Sequence, residues 1–246
     1  MSGSDILLAL IGLGLGGILK GATGAGSPVI GVPVLAVIFN VPMAVAIFTI
    51  PNLLTNLWQG WQFRKSQITR RFTLIYAGAG ALGAGIGSLL LAFLPGAVLM
   101  GVVACVVLLY IAFRLMRPNW HLARPLADRL CAPVGLIGGM MQGAGGISAP
   151  VSVTFLNAMR LERGQFIATI SVFFCAMSLV QIPALIGLGI LTPQIAALSG
   201  AAMVPLLGGM PIGAWLARRI SKESFDKIIL VLLGVIALKL IYDAIL

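Results

Sequence analysis

The sequence predicts an all-α integral membrane protein: an inverted-topology repeat of two five-segment halves, each opening with a short Gly/Pro-interrupted helical hairpin. Three observations lead there. Of 246 residues, 60% are apolar and 9% are charged, where a soluble domain carries about 25% charged residues; mean hydropathy is +1.10. Four stretches hold no Asp, Glu, Lys or Arg: Gly21–Phe63, Phe72–Phe113, Leu130–Met159 and Gly164–Ala217, of 43, 42, 30 and 54 residues. Finally, the second half repeats the first at an offset of 122 residues. A spanning helix needs about 20 apolar residues, so the longer stretches each hold two or more spans. They do not alternate as barrel strands do, and backbone groups in lipid must be paired internally, which leaves helices.

The elements follow in order. Ile6–Leu19 is apolar and preceded by Asp5, not by the basic residues that open a signal peptide, so it is expected to stay in the protein. Val29–Phe39 follows the glycine-rich stretch Gly21–Pro28, and its proline suits the first helical positions. Both segments are too short to span alone and read as a hairpin of half-helices whose tip lies inside the membrane. Met43–Gln62 is the third segment, with a kink expected at Pro51. Phe72–Leu94 and Val98–Met116 complete the half. The second half reads likewise: Cys131–Met141 and Val151–Ala158 as a hairpin, Gln165–Leu191 with Pro183 inside it, then Ile195–Ala217 and Ile228–Ile245. Residues 1–116 form the first repeat, 117–129 a cytoplasmic linker and 130–246 the second repeat.

The repeat is visible residue by residue. Gly21, Ala22, Gly24, Pro28 and Val29 fall on Gly143, Ala144, Gly146, Pro150 and Val151. The same offset puts Asn56 over Ser178 and Gln59 over Gln181, while Gly83 and Gly87 fall on Gly209 and Gly213 at an offset of 126, as a four-residue loop insertion would give. Charge sets the orientation. Basic residues cluster at 64–71, 114–129, 160–163 and 218–227, and the turns at Gly96 and Thr192 carry none. With basic loops in the cytoplasm, every loop agrees if each hairpin enters and leaves on one side. The two halves then run in opposite senses, in a bacterial cytoplasmic membrane.

Short, Gly/Pro-interrupted segments at corresponding places in two halves point to a transporter's binding site. Glycines let a ligand approach the backbone, and a helix start favours an anion. The candidate substrate-binding residues are therefore Gly21, Gly24, Gly26 and Ser27 in the first tip and Gly143, Gly145, Gly146 and Ser148 in the second. Lys20 precedes the first tip and is the only charge between Asp5 and Arg64; its repeat partner is Gln142. An ionisable group inside a membrane is costly and usually functional, although a lysine that snorkels to the interface is the competing explanation. Asn52, Asn56 and Gln59 share one helix face with Thr49, and Ser178 and Gln181 repeat the pattern with Ser171, Phe174 standing at the Asn52 position.

The absences narrow the chemistry. All six carboxylates lie near segment ends or in loops, so no buried acid is expected for cation transport. One histidine and three scattered cysteines without a CxxC pair offer no metal centre and no His-based catalytic set. Gly21–Gly26 lacks the lysine of a nucleotide loop. No cofactor, no metal and no catalytic residue is expected. The net charge of +10 is spread over inter-segment loops, an arrangement that sets topology and does not bind nucleic acid.

These residues resemble the TauE/SafE sulfite-exporter family, in which each half opens with a glycine-rich stretch ending in proline. Gly143-Ala-Gly-Gly-Ile-Ser-Ala-Pro150 is close to that pattern, and Gly21-Ala-Thr-Gly-Ala-Gly-Ser-Pro28 departs from it at Thr23, where glycine is usual. The resemblance implies passage of a small sulfur-containing anion (sulfite, an organosulfonate or thiosulfate) by a secondary transporter or facilitator working by alternating access. An anion channel, or a membrane enzyme or scaffold without flux, remains open from the residues alone, as do the direction of transport, the coupling ion and the oligomeric state. The partners expected are that anion and the lipid bilayer.

Overall fold

The structure is a computed structural model that describes residues 3–116, 121–217, 219 and 234. The expected last segment, Ile228–Ile245, and residues 117–120 of the linker lie outside the described residues. Among those described, the chain forms α1 (Gly3–Thr23), α2 (Ser27–Ile38), α3 (Val41–Gln62), a 3-10 turn (Arg64–Ser66), α4 (Arg70–Phe93), α5 (Gly96–Met116), α6 (Arg124–Gly145), α7 (Ala149–Ala158), α8 (Arg163–Gly187) and α9 (Pro193–Leu216). Helices α1, α3, α4, α8 and α9 are long and apolar enough to cross a membrane. Prolines open α2, α3, α6, α7 and α9, where the missing N–H would have no intrahelical partner. Asn40 caps α3 by accepting from the Met43 N–H at 2.8 Å, and Glu162 and Gln165 form a capping box on α8.

The hairpins correct the expectation drawn from the sequence. Their first arms are not half-helices: α1 has 21 residues and α6 has 22, and only α2 and α7, of 12 and 10, are short. Helix α6 also takes in residues 124–129, which the charge pattern assigned to the linker. Charge does not end it there, because Arg124 pairs with Asp128 one turn on, at 2.9 Å. Pro51 and Pro183 lie inside α3 and α8 as expected.

Two glycine seams organise the packing. Helix α1 lies on α9, and α6 lies on α4. A Cβ on Gly17 or Gly21 would overlap the backbone of Leu206 or Met210, and one on Gly209 or Gly213 that of Gly14 or Ile18. In the other seam Gly139 and Gly143 meet Gly80 and Ala84, while Gly83 and Gly87 meet Leu136 and Met140. Offset by 122 or 126 residues, each contact of one seam becomes a contact of the other. Small residues allow backbones this close, and in lipid such packing replaces the hydrophobic drive. Within each seam the residue numbers rise together, so the paired helices run parallel. Helices α3 and α8 run antiparallel, since Asn52 meets Ser178 and Gly60 lies against Ser171.

Pro51 has a consequence for α3. It carries no N–H, so the Ile47 carbonyl one turn earlier loses its helical donor. Ser199 of α9 supplies the replacement, its hydroxyl donating to the Ile47 carbonyl at 2.5 Å, and so clasps α3 to α9. A ring cluster joins α4, α7 and α8: Tyr76 stacks on Phe173 at 4.2 Å between centroids and Phe72 on Phe155 at 6.2 Å. The positions related to these by the repeat are Ala202, Pro51, Leu198 and Pro33, so the cluster has no counterpart. The basic stretches around residues 66–69, 122–124 and 158–164 meet on one side. Arg124 donates to the Thr69 hydroxyl at 2.9 Å, the Leu122 N–H donates to the Ala158 carbonyl at 2.8 Å, and Gly164 sits against Ser66.

Candidate functional site

The polar face predicted on the third segment is buried in the centre of the molecule. Thr49, Asn52, Asn56 and Gln59 all lie on the inward side of α3. Thr49 is spent locally on the Val45 carbonyl at 2.7 Å, which leaves the two asparagines and the glutamine. Lys20, in the last turn of α1, is 1% exposed. Its Nζ donates to Asn56 Oδ1 at 2.9 Å. Asn56 Nδ2 donates to Asn52 Oδ1 at 2.9 Å and to the Asn52 carbonyl at 2.7 Å. Asn52 Nδ2 in turn donates to Ser178 Oγ of α8 at 3.3 Å. One turn farther along α8, Gln181 Nε2 donates to the Gln142 carbonyl of α6 at 3.4 Å. A hydrogen-bonded column thus runs from α1 through α3 to α8, and α8 joins it to α6.

The structure resolves the competing explanations for Lys20 in one respect: the side chain is buried, so it does not snorkel. Among the described residues no carboxylate pairs with it, and Asn56 is its hydrogen-bond partner. Lys20 and Gln142 do not bond to each other; each is held by the third helix of its own half. Several polar atoms along the column have no partner within the described protein, namely Gln59 Oε1, Gln142 Oε1, Gln181 Oε1, Ser171 Oγ and Ser27 Oγ. A buried polar atom left unpaired costs about 1–3 kcal/mol, so a cluster of them is a set of groups able to receive water or the polar atoms of a ligand.

The glycine turns hold the column's ends. Gly24, Gly26 and Gly146 have φ of 82°, 90° and 70°, a region that side-chain-bearing residues enter at a cost. In matched positions, the Gly24 N–H donates to the Lys20 carbonyl at 2.7 Å and the Gly146 N–H to the Gln142 carbonyl at 2.8 Å. Thr23, which departs from the glycine pattern, clasps the first turn by donating to the Leu19 carbonyl at 2.8 Å. A Cβ on Gly24 would meet Ile167 of α8, and one on Gly146 would meet Val45 of α3. Each tip therefore touches the third helix of the other half. Gly21 and Gly143 face the seams, Gly145 lies against Val103, and Ser148 shares a 3.1 Å contact with Ser152.

A cleft of about 600 Å³ opens beside this column, between α1, α3, α8 and α9. Gly21, Gly24 and Gln59 line it, as do Thr55, Gln62 and Arg163, which the sequence reading did not single out for the site. Arg163 counted there only as a loop charge that sets topology; no residue spacing shows that the start of α8 folds against the end of α3. Gln62, Phe63 and Arg163 place the mouth on the side where the basic loops meet. The polar side chains that line it are Thr55, Gln59, Gln62 and Arg163, donors suited to an anion with no acid among them, and Lys20 lies in the adjoining column. No cluster of His, Cys, Asp and Glu able to hold a metal occurs among the described residues.

Comparison with known proteins agrees with this donor set. Neither a curated protein nor a solved structure matches the chain. A family model, that of the sulfite exporter TauE/SafE, matches residues 8–240, which takes in both glycine turns, the buried column and the cleft. On that match the chain belongs to the TauE/SafE sulfite exporter family.

Proposed function

We propose that the protein is a secondary transporter or facilitator that moves a small sulfur-containing anion across the bacterial cytoplasmic membrane by alternating access between two inverted halves. The observation that carries this reading is Lys20: a lysine at 1% exposure, bonded to a neutral amide, in a buried column without carboxylates. Ionisable groups at such positions mark substrate paths in membrane proteins. Sulfite, an organosulfonate and thiosulfate all present oxygens that this donor set would accept.

Helix directions support the inversion. Helices α1 and α3 run parallel because α2 turns back between them, and α4 runs against α3. Helix α6 runs parallel to α4 in its seam. Helices α1 and α6, which open the two halves, are therefore antiparallel, with α3 and α8 crossing about the axis that relates them. In this reading the cleft at Gln59 is the entry from the cytoplasm, and the matched tip at Gly146, packed on Val32 and Val45, is the closed opposite gate.

The test is flux. Purified protein in liposomes should take up labelled sulfite, sulfoacetate or thiosulfate with saturation and trans-stimulation. Unsaturated electrical current would make it a channel, and no movement of any of the three would end the reading.

A further inference from the structure

The cleft beside α3 has a second property that the transport reading does not use. Its outer wall faces the bilayer. Leu54 and Trp58 of α3 and Leu207 of α9 line it and are 42%, 62% and 45% exposed; in a membrane protein such side chains meet acyl chains. The clasp at Ile47 and Ser199 holds α3 and α9 together away from the basic side. Beyond the clasp the cleft separates the two helices, so a groove opens sideways toward the leaflet on the basic-loop side.

The rim of that groove is cationic. Arg163 lines it directly. At the end of α3, Arg64 lies over the Trp61 ring at 4.7 Å, and at the end of α9, Arg219 lies over the Trp215 ring at 4.5 Å. Trp61 and Trp215 stand within a turn of the groove-lining residues Phe63 and Ala214. Tryptophan rings at helix ends, as Trp61 and Trp215 are, settle at the headgroup level, which puts Arg64 and Arg219 at the depth of lipid phosphates, and Arg163 lines the groove with Gln62 and Phe63 at the same end of α3. They make no ion pair among the described residues. A groove lined by Leu54, Trp58 and Leu207 with arginines at its rim is complementary to one class of molecule.

We propose that this groove binds an anionic phospholipid of the leaflet on the basic-loop side, its phosphate on Arg163, Arg64 and Arg219 and one acyl chain between α3 and α9 against Trp58, Leu54 and Leu207. The lipid takes the outer part of the cleft, and Gln59 and Gly24 remain its inner end. Bound there, it bridges two helices whose hydrogen bond, from Ser199 to the Ile47 carbonyl, is near the opposite face.

Brominated phosphatidylglycerol in nanodiscs tests the placement, because bromine quenches tryptophan on contact. Quenching should exceed that by brominated phosphatidylcholine, and Trp58→Phe should remove the excess. The same lipid should raise the melting temperature of the delipidated protein above that given by phosphatidylcholine. Arg163→Gln and Arg64→Gln, both at exposed positions, should each weaken retention of phosphatidylglycerol roughly fivefold. Leu207→Trp, which fills the groove from its lipid side, should abolish the preference. Equal quenching by both lipids, or an excess that survives Trp58→Phe, would overturn the proposal. So would competition by soluble glycerol phosphate as strong as that by the lipid, which would make the arginines a site for free anions. All of these are binding readouts, so a failure of sulfite flux leaves them standing and their failure leaves the flux reading intact.

Discussion

At the scale of single residues, Lys20 concentrates the question. Its ammonium reaches Asn56 at 2.9 Å, and an anion near it would add a charged hydrogen bond, worth about 1.5–3 kcal/mol. Lys20→Gln keeps a donor and reproduces the side chain found at the symmetric position, Gln142. Expression and melting temperature should change little, while anion affinity, read by calorimetry or by the half-saturation of uptake, should fall roughly tenfold to a hundredfold. Unchanged affinity would take the charge out of the site. Glycine substitutions give a less selective probe: Gly24→Val would fill the approach to the backbone, but it would also force valine to φ 82° against Ile167, so binding and folding would be lost together. The polar face of α3 was legible in advance because residues three and four apart on a helix share a side. The Lys20–Asn56 bond was not, since the partners stand 36 positions apart and only the return of α2 brings them level. Arg163 was hidden for the same reason.

At the scale of elements, the seams decide stability. Where a Cβ would strike backbone, no side-chain adjustment relieves it. Gly17→Leu should therefore unseat α1 from α9 and cost at least the roughly 1–3 kcal/mol typical of overpacking, visible as a lowered melting temperature. Gly139→Leu should do the same between α6 and α4, while Gly78→Leu, with open space around it, should be tolerated; equal effects at all three sites would mean the seams are not the cause. The clasp offers a finer test. Ser199→Ala leaves the Ile47 carbonyl, already abandoned by Pro51, without a donor, which should cost about 1–3 kcal/mol; restoring the N–H with Pro51→Ala in the same protein should recover part of that loss. The repeat and most segment ends could be read from the sequence. The lengths of α1 and α6 could not, because glycines and a charge pair look like breaks to a pattern based on hydrophobicity. In lipid a glycine does not end a helix, since its N–H and carbonyl have nothing better to bond than the helix itself.

At the scale of the whole molecule, the two glycine seams match contact for contact, and the packing beside them does not. Helix α4 of the first repeat packs on α7 and α8 of the second around Tyr76, Phe173, Phe72 and Phe155; the symmetry-related positions hold alanine, leucine and two prolines. The cleft lies beside the packing of α3 on α9, which lacks those rings and carries the bond from the Ser199 hydroxyl to the Ile47 carbonyl. Topology is open to a direct check. With the native cysteines replaced, single cysteines at Gly96 and Thr192 should label from the same face, and one at Ser66 from the other. Labelling of Gly96 and Thr192 from opposite faces would refute the inverted arrangement, whatever the transport assays give.

The seam between α1 and α9 also governs how the chain must be made. Asn56 reaches the membrane soon after Lys20, so the buried cation finds its partner early. The glycine face of α1 waits longer: Thr23 ends that helix and Pro193 opens α9, about 170 residues later, or roughly 10–35 s at ordinary synthesis rates. During that interval the flattest side of α1 has only lipid, an insertase or a neighbouring nascent chain against it. Helix α6 is spared this wait, because α4 is already in place when it emerges. Of the described helices, α1 is thus made earliest and is among the last to be seated, and a stall before α9 would leave it as the part of the molecule that quality control can still grip.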